Sequence, residues 1–173
     1  RTGRETPDHT NVISLSSRRA VDKGVMSIDS STVLVTAGAS GIGRAIAEAF
    51  MLAGASVHIA DIDREALERM CQENPTISGT VADITDEEDV NRLLRDALKC
   101  LGASVTVLVN CAGIGGPAAF VEDLSYSDWS RCLAVSLDGT FLCTRAVAPA
   151  MKAAGSGAII NISTAWTFEP SAM

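Results

Sequence analysis

The chain has 173 residues, 47% of them hydrophobic and only 4% aromatic, so small aliphatic side chains must build its core. It carries 14 basic against 21 acidic residues, a formal net charge of -7, which removes the basic face that general nucleic-acid binding requires. Charged residues at 20% with a mean hydropathy of +0.22 exclude an acidic disordered chain, and no apolar run approaches the roughly 18 residues of a membrane span.

Residues 1–28 are polar, rich in Ser and Arg, and show neither helical nor alternating apolar spacing. They hold five basic and three acidic side chains, whereas the rest of the chain holds nine and eighteen. The stretch lacks the apolar centre of a secretion signal, and Glu5 and Asp8 argue against a transit peptide. We expect a disordered or non-native extension with Met26 as a natural start; an interaction arm is the alternative.

From Ser31 the pattern alternates between element types. Val33, Leu34 and Val35 form a short continuous apolar run, as in a strand buried on both faces. Residues 41–53 follow with Ile42, Ala45, Ile46, Ala49 and Phe50 at helical spacing, and Gly54 ends that helix. Residues 56–60 predict a second strand, 63–71 a helix and 77–82 a third strand. Residues 86–101 give the clearest helix, with Val90, Leu93, Leu94, Ala97, Leu98 and Leu101 in one stripe behind acidic residues that suit the helix dipole. A fourth strand is expected at 105–109, one long helix at 127–154, and a fifth strand at 158–162. Strands alternating with helices of this length imply βαβ units, a parallel sheet and one α/β domain over residues 29–173.

The five cysteines show no C-x-x-C spacing and an odd count, which fits neither a disulfide framework nor a zinc site and points to a reducing, cytoplasmic setting. Of the two histidines, His9 and His58, the second lies in an apolar stretch and reads as a packed strand residue, a ligand role being the alternative. No metal site is expected.

The first strand runs straight into Thr36, Ala37, Gly38, Ala39, Ser40, Gly41, Ile42 and Gly43, which open the first helix. Small residues there let backbone N–H groups approach a pyrophosphate, and a helix N-terminus favours its charge. Asp61 closes the second strand 18 residues after Gly43, near the ~20 expected for a ribose-binding acid. A carboxylate there accepts from both ribose hydroxyls of NAD and repels the extra phosphate of NADP. Alternatively, Asp61 is only the N-cap of the next helix.

Together with three further motifs, this loop resembles the short-chain dehydrogenase/reductase family, over residues 32–164. The family's T-G-x-x-x-G-x-G motif appears as Thr36, Ala37, Gly41 and Gly43, with Ala37 in place of the first glycine and Gly38 displaced by one position. Asp83, followed by Ile84, resembles the family's adenine-contacting Asp at the end of the third strand. Asn110, Cys111, Ala112 and Gly113 stand where the family has N-N-A-G, and residues 134–151 resemble its long helix. The resemblance implies a Rossmann-like doubly wound sheet with strand order 3-2-1-4-5 and NAD as cofactor. The cofactor residues it implies are Thr36, Gly38, Ser40, Gly41, Ile42, Gly43, Asp61, Ile62, Asp83, Ile84, Asn110, Cys111, Ala112 and Gly113. It further implies a small alcohol or carbonyl substrate and a homo-oligomer at full length.

In that family a Tyr acts as acid–base group, a Lys four residues on lowers its pKa, a Ser orients the substrate oxygen, and a helix Asn supports a proton relay. Here Ser136 occupies the Asn slot within Val135, Ser136 and Leu137, while Thr164 takes the Ser slot with Ser163 just before it. The only tyrosine is Tyr126, with Ser130 four residues on. By resemblance the Tyr and Lys belong beyond Met173, so we expect a C-terminally truncated domain that binds the cofactor but lacks the acid–base pair. A dinucleotide-binding module without catalysis is the alternative.

Overall fold

A computed structural model of the chain describes residues 27–163. A 3-10 turn at Ile28–Ser30 leads into β1 (Thr32–Thr36), followed by α1 (Gly41–Leu52), β2 (Ser56–Asp61), α2 (Arg64–Glu73), β3 (Ile77–Val81) and α3 (Glu87–Leu101). β4 (Val107–Asn110), α4 (Tyr126–Leu133), a π turn (Ala134–Asp138), α5 (Gly139–Ala154) and β5 (Ala158–Asn161) complete it. The five strands form one parallel sheet in the order β3-β2-β1-β4-β5, as the sequence implies.

Local chemistry sets the element ends. Asp86 caps α3 by accepting from the N–H groups of Glu88 (2.8 Å) and Asp89 (3.0 Å), and Gly102 at φ +67° closes it in the left-handed region. α2 is capped by Asp63, which accepts from the Ala66 N–H at 3.0 Å. The N-cap alternative for Asp61 is thereby removed. β4 begins at Val107, two residues later than expected; just before it Thr106 joins Thr32 through main chain and hydroxyl, the Thr106 N–H reaching the Thr32 carbonyl at 2.9 Å and the Thr32 N–H reaching Thr106 Oγ1 at 2.9 Å.

Alternation along β1 and β2 splits the core between the two faces of the sheet. Val33, Val35, Val57 and Ile59 pack with α1 and α2 residues such as Ala47, Leu67 and Met70. Leu34 and Ala60 pack on the other face with Leu93 and Ala97 of α3 and with Cys143 and Val147 of α5. Burying one such aliphatic side chain stabilises the fold by about 1.5–3 kcal/mol. His58 also lies on the α3 face, fully buried as a packed strand residue, with Nδ1 2.7 Å from Ser78 Oγ and Nε2 3.0 Å from Thr80 Oγ1.

The expected single helix at 127–154 is instead α4, the π turn and α5 in unbroken succession. Its backbone stays right-handed helical through both junctions. The wider turn changes the register between the two helices. It brings Gly139 against the end of β3, where a Cβ would lie 2.5 Å from Ile84 Cδ1. Among the described residues no helix is long and apolar enough to cross a membrane.

Candidate functional site: the crevice at the strand-order reversal

The chain runs outward from β1 through β2 to β3 and then crosses back to place β4 on the other side of β1, so a crevice opens at the carboxyl edge beside β1, where doubly wound sheets bind ligands. A cavity of about 190 Å³ lies there. Its walls include Ala37 after β1, Asp61 and Ile62 at the end of β2, Asp83 and Ile84 after β3, and Ala112 and Gly113 after β4. Seven residues from four strand exits thus meet at one place; six were expected from the sequence as cofactor contacts, and Ala37 only as the altered glycine slot.

The turn after β1 is held tightly. Ala37 has φ +50°, the only described non-glycine residue in the left-handed region, in the slot where the resemblance expects glycine. A Cβ on Gly43 would meet the Ala37 carbonyl oxygen at 2.0 Å, so only glycine lets α1 start this close to the turn. Gly38 is buried and donates its N–H to the Ala60 carbonyl at 3.0 Å, while Ser40, Gly41 and Ile42 face solvent at the helix start. Ser40 has extended backbone and makes no side-chain cap bond to α1.

Asp61 is half-buried and ties this turn to β2. Its Oδ2 accepts from the Ala39 N–H at 3.1 Å and its Oδ1 from the Asp63 N–H at 3.0 Å. The carboxylate is therefore oriented by two main-chain donors. Asp83 is oriented differently: Oδ1 accepts from the Thr85 N–H (2.9 Å) and the Thr85 hydroxyl (2.8 Å), and no described residue donates to Oδ2.

Several expected site residues lie behind the cavity and brace it. Thr36 is fully buried, and its hydroxyl accepts from the Cys111 (3.0 Å) and Ala112 (3.1 Å) N–H groups. Asn110 is 4% exposed; its side-chain amide donates to Asn161 Oδ1 (2.9 Å) and Thr144 Oγ1 (3.3 Å), and its own Oδ1 has no partner among the described residues. Burial pushes the thiols of Cys111 and Cys143 up, that of Cys143 to about 11, so neither is a ready thiolate. Ser136 lies in the π turn close to Gly113, 3.7 Å from where a Cβ on that glycine would sit. Ser163 is exposed just past β5, and Thr164 falls outside the described residues. Tyr126 is 83% exposed at the start of α4.

The cavity also includes Arg131, which no motif in the sequence marked, and Val135, which the sequence showed only as the residue before Ser136. They lie four apart on one helical face, and that spacing is the only signal that could have paired them. Arg131 is the one cationic side chain on a wall that holds two carboxylates. No group of three or more described His, Cys, Asp or Glu residues is arranged to hold a metal ion.

A doubly wound α/β domain with a tight small-residue turn, an acid closing β2 and a cavity at the strand-order reversal defines a nucleotide-binding fold of the Rossmann type. The short-chain dehydrogenase family model matches residues 31–173, and the chain belongs to that family. It is 36% identical over 141 residues to the D-threitol dehydrogenase of Mycolicibacterium smegmatis, covering 79% of this chain and 54% of that protein. It is 38% identical over 141 residues to the sorbitol dehydrogenase of Cereibacter sphaeroides, covering 80% and 54%. A crystal structure of 3-ketoacyl-(acyl-carrier-protein) reductase from Brucella melitensis, complexed with NADH, superposes with a TM-score of 0.79 at 31% identity, covering 84% of this chain and 62% of that one. The chain thus spans about half the length of the curated relatives it matches.

Proposed function

We propose that residues 29–173 form the NAD-binding part of an oxidoreductase that interconverts a small alcohol and its carbonyl counterpart. The cavity at the strand-order reversal carries this reading. It has an apolar lining of Ile62, Ile84 and Ala112 for the faces of a planar ring, a free acceptor in Asp83 Oδ2 for an exocyclic amine, and the Asp61 carboxylate for ribose hydroxyls. At about 190 Å³ it is smaller than the ~300–1,000 Å³ of a complete ligand pocket, which suits one portion of a dinucleotide. The pyrophosphate would lie over the start of α1, where Ser40, Gly41 and Ile42 are open to solvent and the unpaired N–H groups of the first turn favour an anion. The nicotinamide group, when bound, supplies the hydride. Ser136, Ser163 and Thr164 are the hydroxyl residues assigned to the substrate end. Cytoplasmic residence agrees with five free cysteines, and the exposed row of Trp129, Leu133, Leu137 and Phe141 agrees with self-association.

Asp61 supports NAD over NADP. A second phosphate placed against a carboxylate already fixed by two N–H donors meets like charge that cannot swing away. The discrimination is expected to be roughly tenfold to a hundredfold in Kd, measured by calorimetry with NADH and NADPH. Asp61→Ala should narrow the gap, and equal affinities in the unmodified chain overturn the assignment.

A second reading, a dinucleotide-binding module without catalysis, is favoured by Ser136 in the relay slot and by Tyr126, exposed and followed four residues on by Ser130. NAD-dependent oxidation of sorbitol or D-threitol by this chain, at the ~1–1,000 s⁻¹ usual for enzymes, would discard that second reading.

A further inference from the structure

The end of β3, where Asp83 emerges, is gripped from both sides. On the sheet side, the Ala82 N–H donates to the Asp61 carbonyl at 3.0 Å. On the helix side, two residues of α3 take hold of the peptides that flank Ala82. Arg92 Nη2 donates to the Val81 carbonyl at 3.1 Å, and Asp89 Oδ2 accepts from the Asp83 N–H at 2.9 Å. The same Arg92 nitrogen donates to Asp89 Oδ1, so the two grips are one unit. Burial of Val90 and Leu93 on the same helix fixes that unit against the sheet.

Asp89 reads in the sequence as one of several first-turn acids that suit the helix dipole. In the fold it has a further partner: the Asp83 N–H, and after it the Arg92 guanidinium, holds its carboxyl below the usual range. It therefore stays ionised, a strong acceptor, across the neutral pH range. Neither Asp89 nor Arg92 lines the cavity; both face a shallow depression on the far side of β3 with Arg64 and Glu68. Yet both act on the three-residue segment whose last member presents the one unclaimed carboxylate oxygen in the cavity. The Asp83 side chain has its own local restraint through Thr85, so what remains to be fixed is the position of its main chain.

We infer that Asp89 and Arg92 are positioning residues for nucleobase recognition, setting through the backbone of residues 81–83 where Asp83 Oδ2 meets an exocyclic amine. This rests on the reading of the cavity as the adenine end of a dinucleotide site. The amine is what the arrangement selects, because a carboxylate oxygen can only accept. A base with a carbonyl oxygen at that position presents acceptor to acceptor and leaves both without a hydrogen bond.

The test uses the full chain and two probes, NADH and reduced nicotinamide hypoxanthine dinucleotide, which carries oxygen in place of the adenine amine. The unmodified chain is expected to prefer NADH by about tenfold, the equivalent of one charge-assisted hydrogen bond. Asp83→Ala should abolish the preference. Asp89→Ala should reduce it about threefold or more, whereas Asp89→Asn, which keeps an acceptor for the Asp83 N–H, should retain most of it. A purely structural role for Asp89 would weaken both probes by the same factor and would overturn the inference. If Asp83→Ala loses the preference and Asp89→Ala keeps it, the inference fails and the site reading stands. If the chain shows no preference, or Asp83→Ala leaves it intact, the site reading itself falls and the inference with it. Amide hydrogen exchange without nucleotide gives a second readout. Exchange at the Asp83 N–H should accelerate about tenfold in Asp89→Ala while Val35 in β1 is unchanged; unaltered exchange at Asp83 also overturns the inference.

Discussion

On one side of β1, β2 is shut in completely: His58, Ile59 and Ala60 have essentially no contact with solvent, and α2 and α3 pack over the two faces of the β2–β3 pair. On the other side, β5 leaves Ile159, Ile160 and Ile162 at 39–40% exposure, and an open apolar groove runs from Ile46 and Phe50 of α1 to Ile160. The two halves share one parallel sheet, and the strands on the less covered side are the richer in branched aliphatic residues, five of eight in β4 and β5 against four of eleven in β2 and β3, so composition does not explain the exposure. What differs is coverage. The features that read as nucleotide recognition (Asp61, Asp83 and the turn at Ala37) belong to the covered half. The hydroxyls assigned to the substrate end, Ser136 and Ser163, belong to the uncovered one. Under the proposed reading, the cofactor end and the substrate end draw on parts of the fold with very different internal support.

The sharpest way to break that contrast is to truncate one aliphatic side chain in each half. Ile59→Ala, fully buried in β2, should cost about 2–5 kcal/mol in denaturant unfolding, because little around it can collapse into the space. A cost under about 1 kcal/mol would mean that the covered half is no better packed than the other.

The next largest effect is a pH dependence confined to the covered half. Burial pushes His58 down to about 4 from its ordinary 6.5, against the opposing pull of Asp96. The folded state therefore keeps the ring neutral while the unfolded chain protonates. Above pH 6.5 this contribution is fully present, and it is lost as pH falls from 6.5 towards 4. It amounts to roughly 3 kcal/mol in total. Urea unfolding across that window should show the slope in the parent chain and lose it in His58→Gln. An equal slope in both would place the proton elsewhere.

A smaller gain is expected at the turn. Ala37→Gly should raise stability by about 1 kcal/mol, seen as a higher Tm, because it relieves a non-glycine residue at φ +50°. No change would mean that the Ala37 backbone is not strained. The smallest effect belongs to the uncovered half. Ile160→Ser should change unfolding by less than about 1 kcal/mol while improving solubility, because that side chain is 40% exposed on an edge strand. A loss as large as that of Ile59→Ala would show that something covers β5 in solution.

Much of this was legible in the sequence, for physical reasons that differ by element. β1 reads clearly because a strand buried on both faces needs unbroken aliphatic residues, and α3 reads clearly because its apolar stripe follows a run of first-turn acids. Asp61 at the second strand exit follows from the loop spacing, and Asp83 at the third from the family resemblance. What stayed hidden depends on contacts between distant residues. Nothing near Asp61 says that its Oδ2 is taken by the Ala39 N–H, or that Asp63 and not Asp61 caps α2. The π turn leaves no mark in a run that is helical by period throughout, and without it Arg131 and Val135 have no visible reason to face the cavity. Thr36 reads as a contact residue by position, but its hydroxyl is turned to the exit of β4, where it accepts from the Cys111 and Ala112 N–H groups.

That last detail reaches beyond the turn itself. The Thr36 hydroxyl accepts from two N–H groups and donates towards the Val109 carbonyl at 3.5 Å, so its full capacity of one donor and two acceptors is taken up by the end and exit of β4. One oxygen atom rivets the two lips of the crevice together. The cleft cannot gape by sliding one lip against the other without stranding buried amides. Its shape is therefore settled when the chain folds, and an arriving dinucleotide meets a mould that has already set. The entropy of ordering those loops is charged to folding, and little of it remains to be deducted from the affinity.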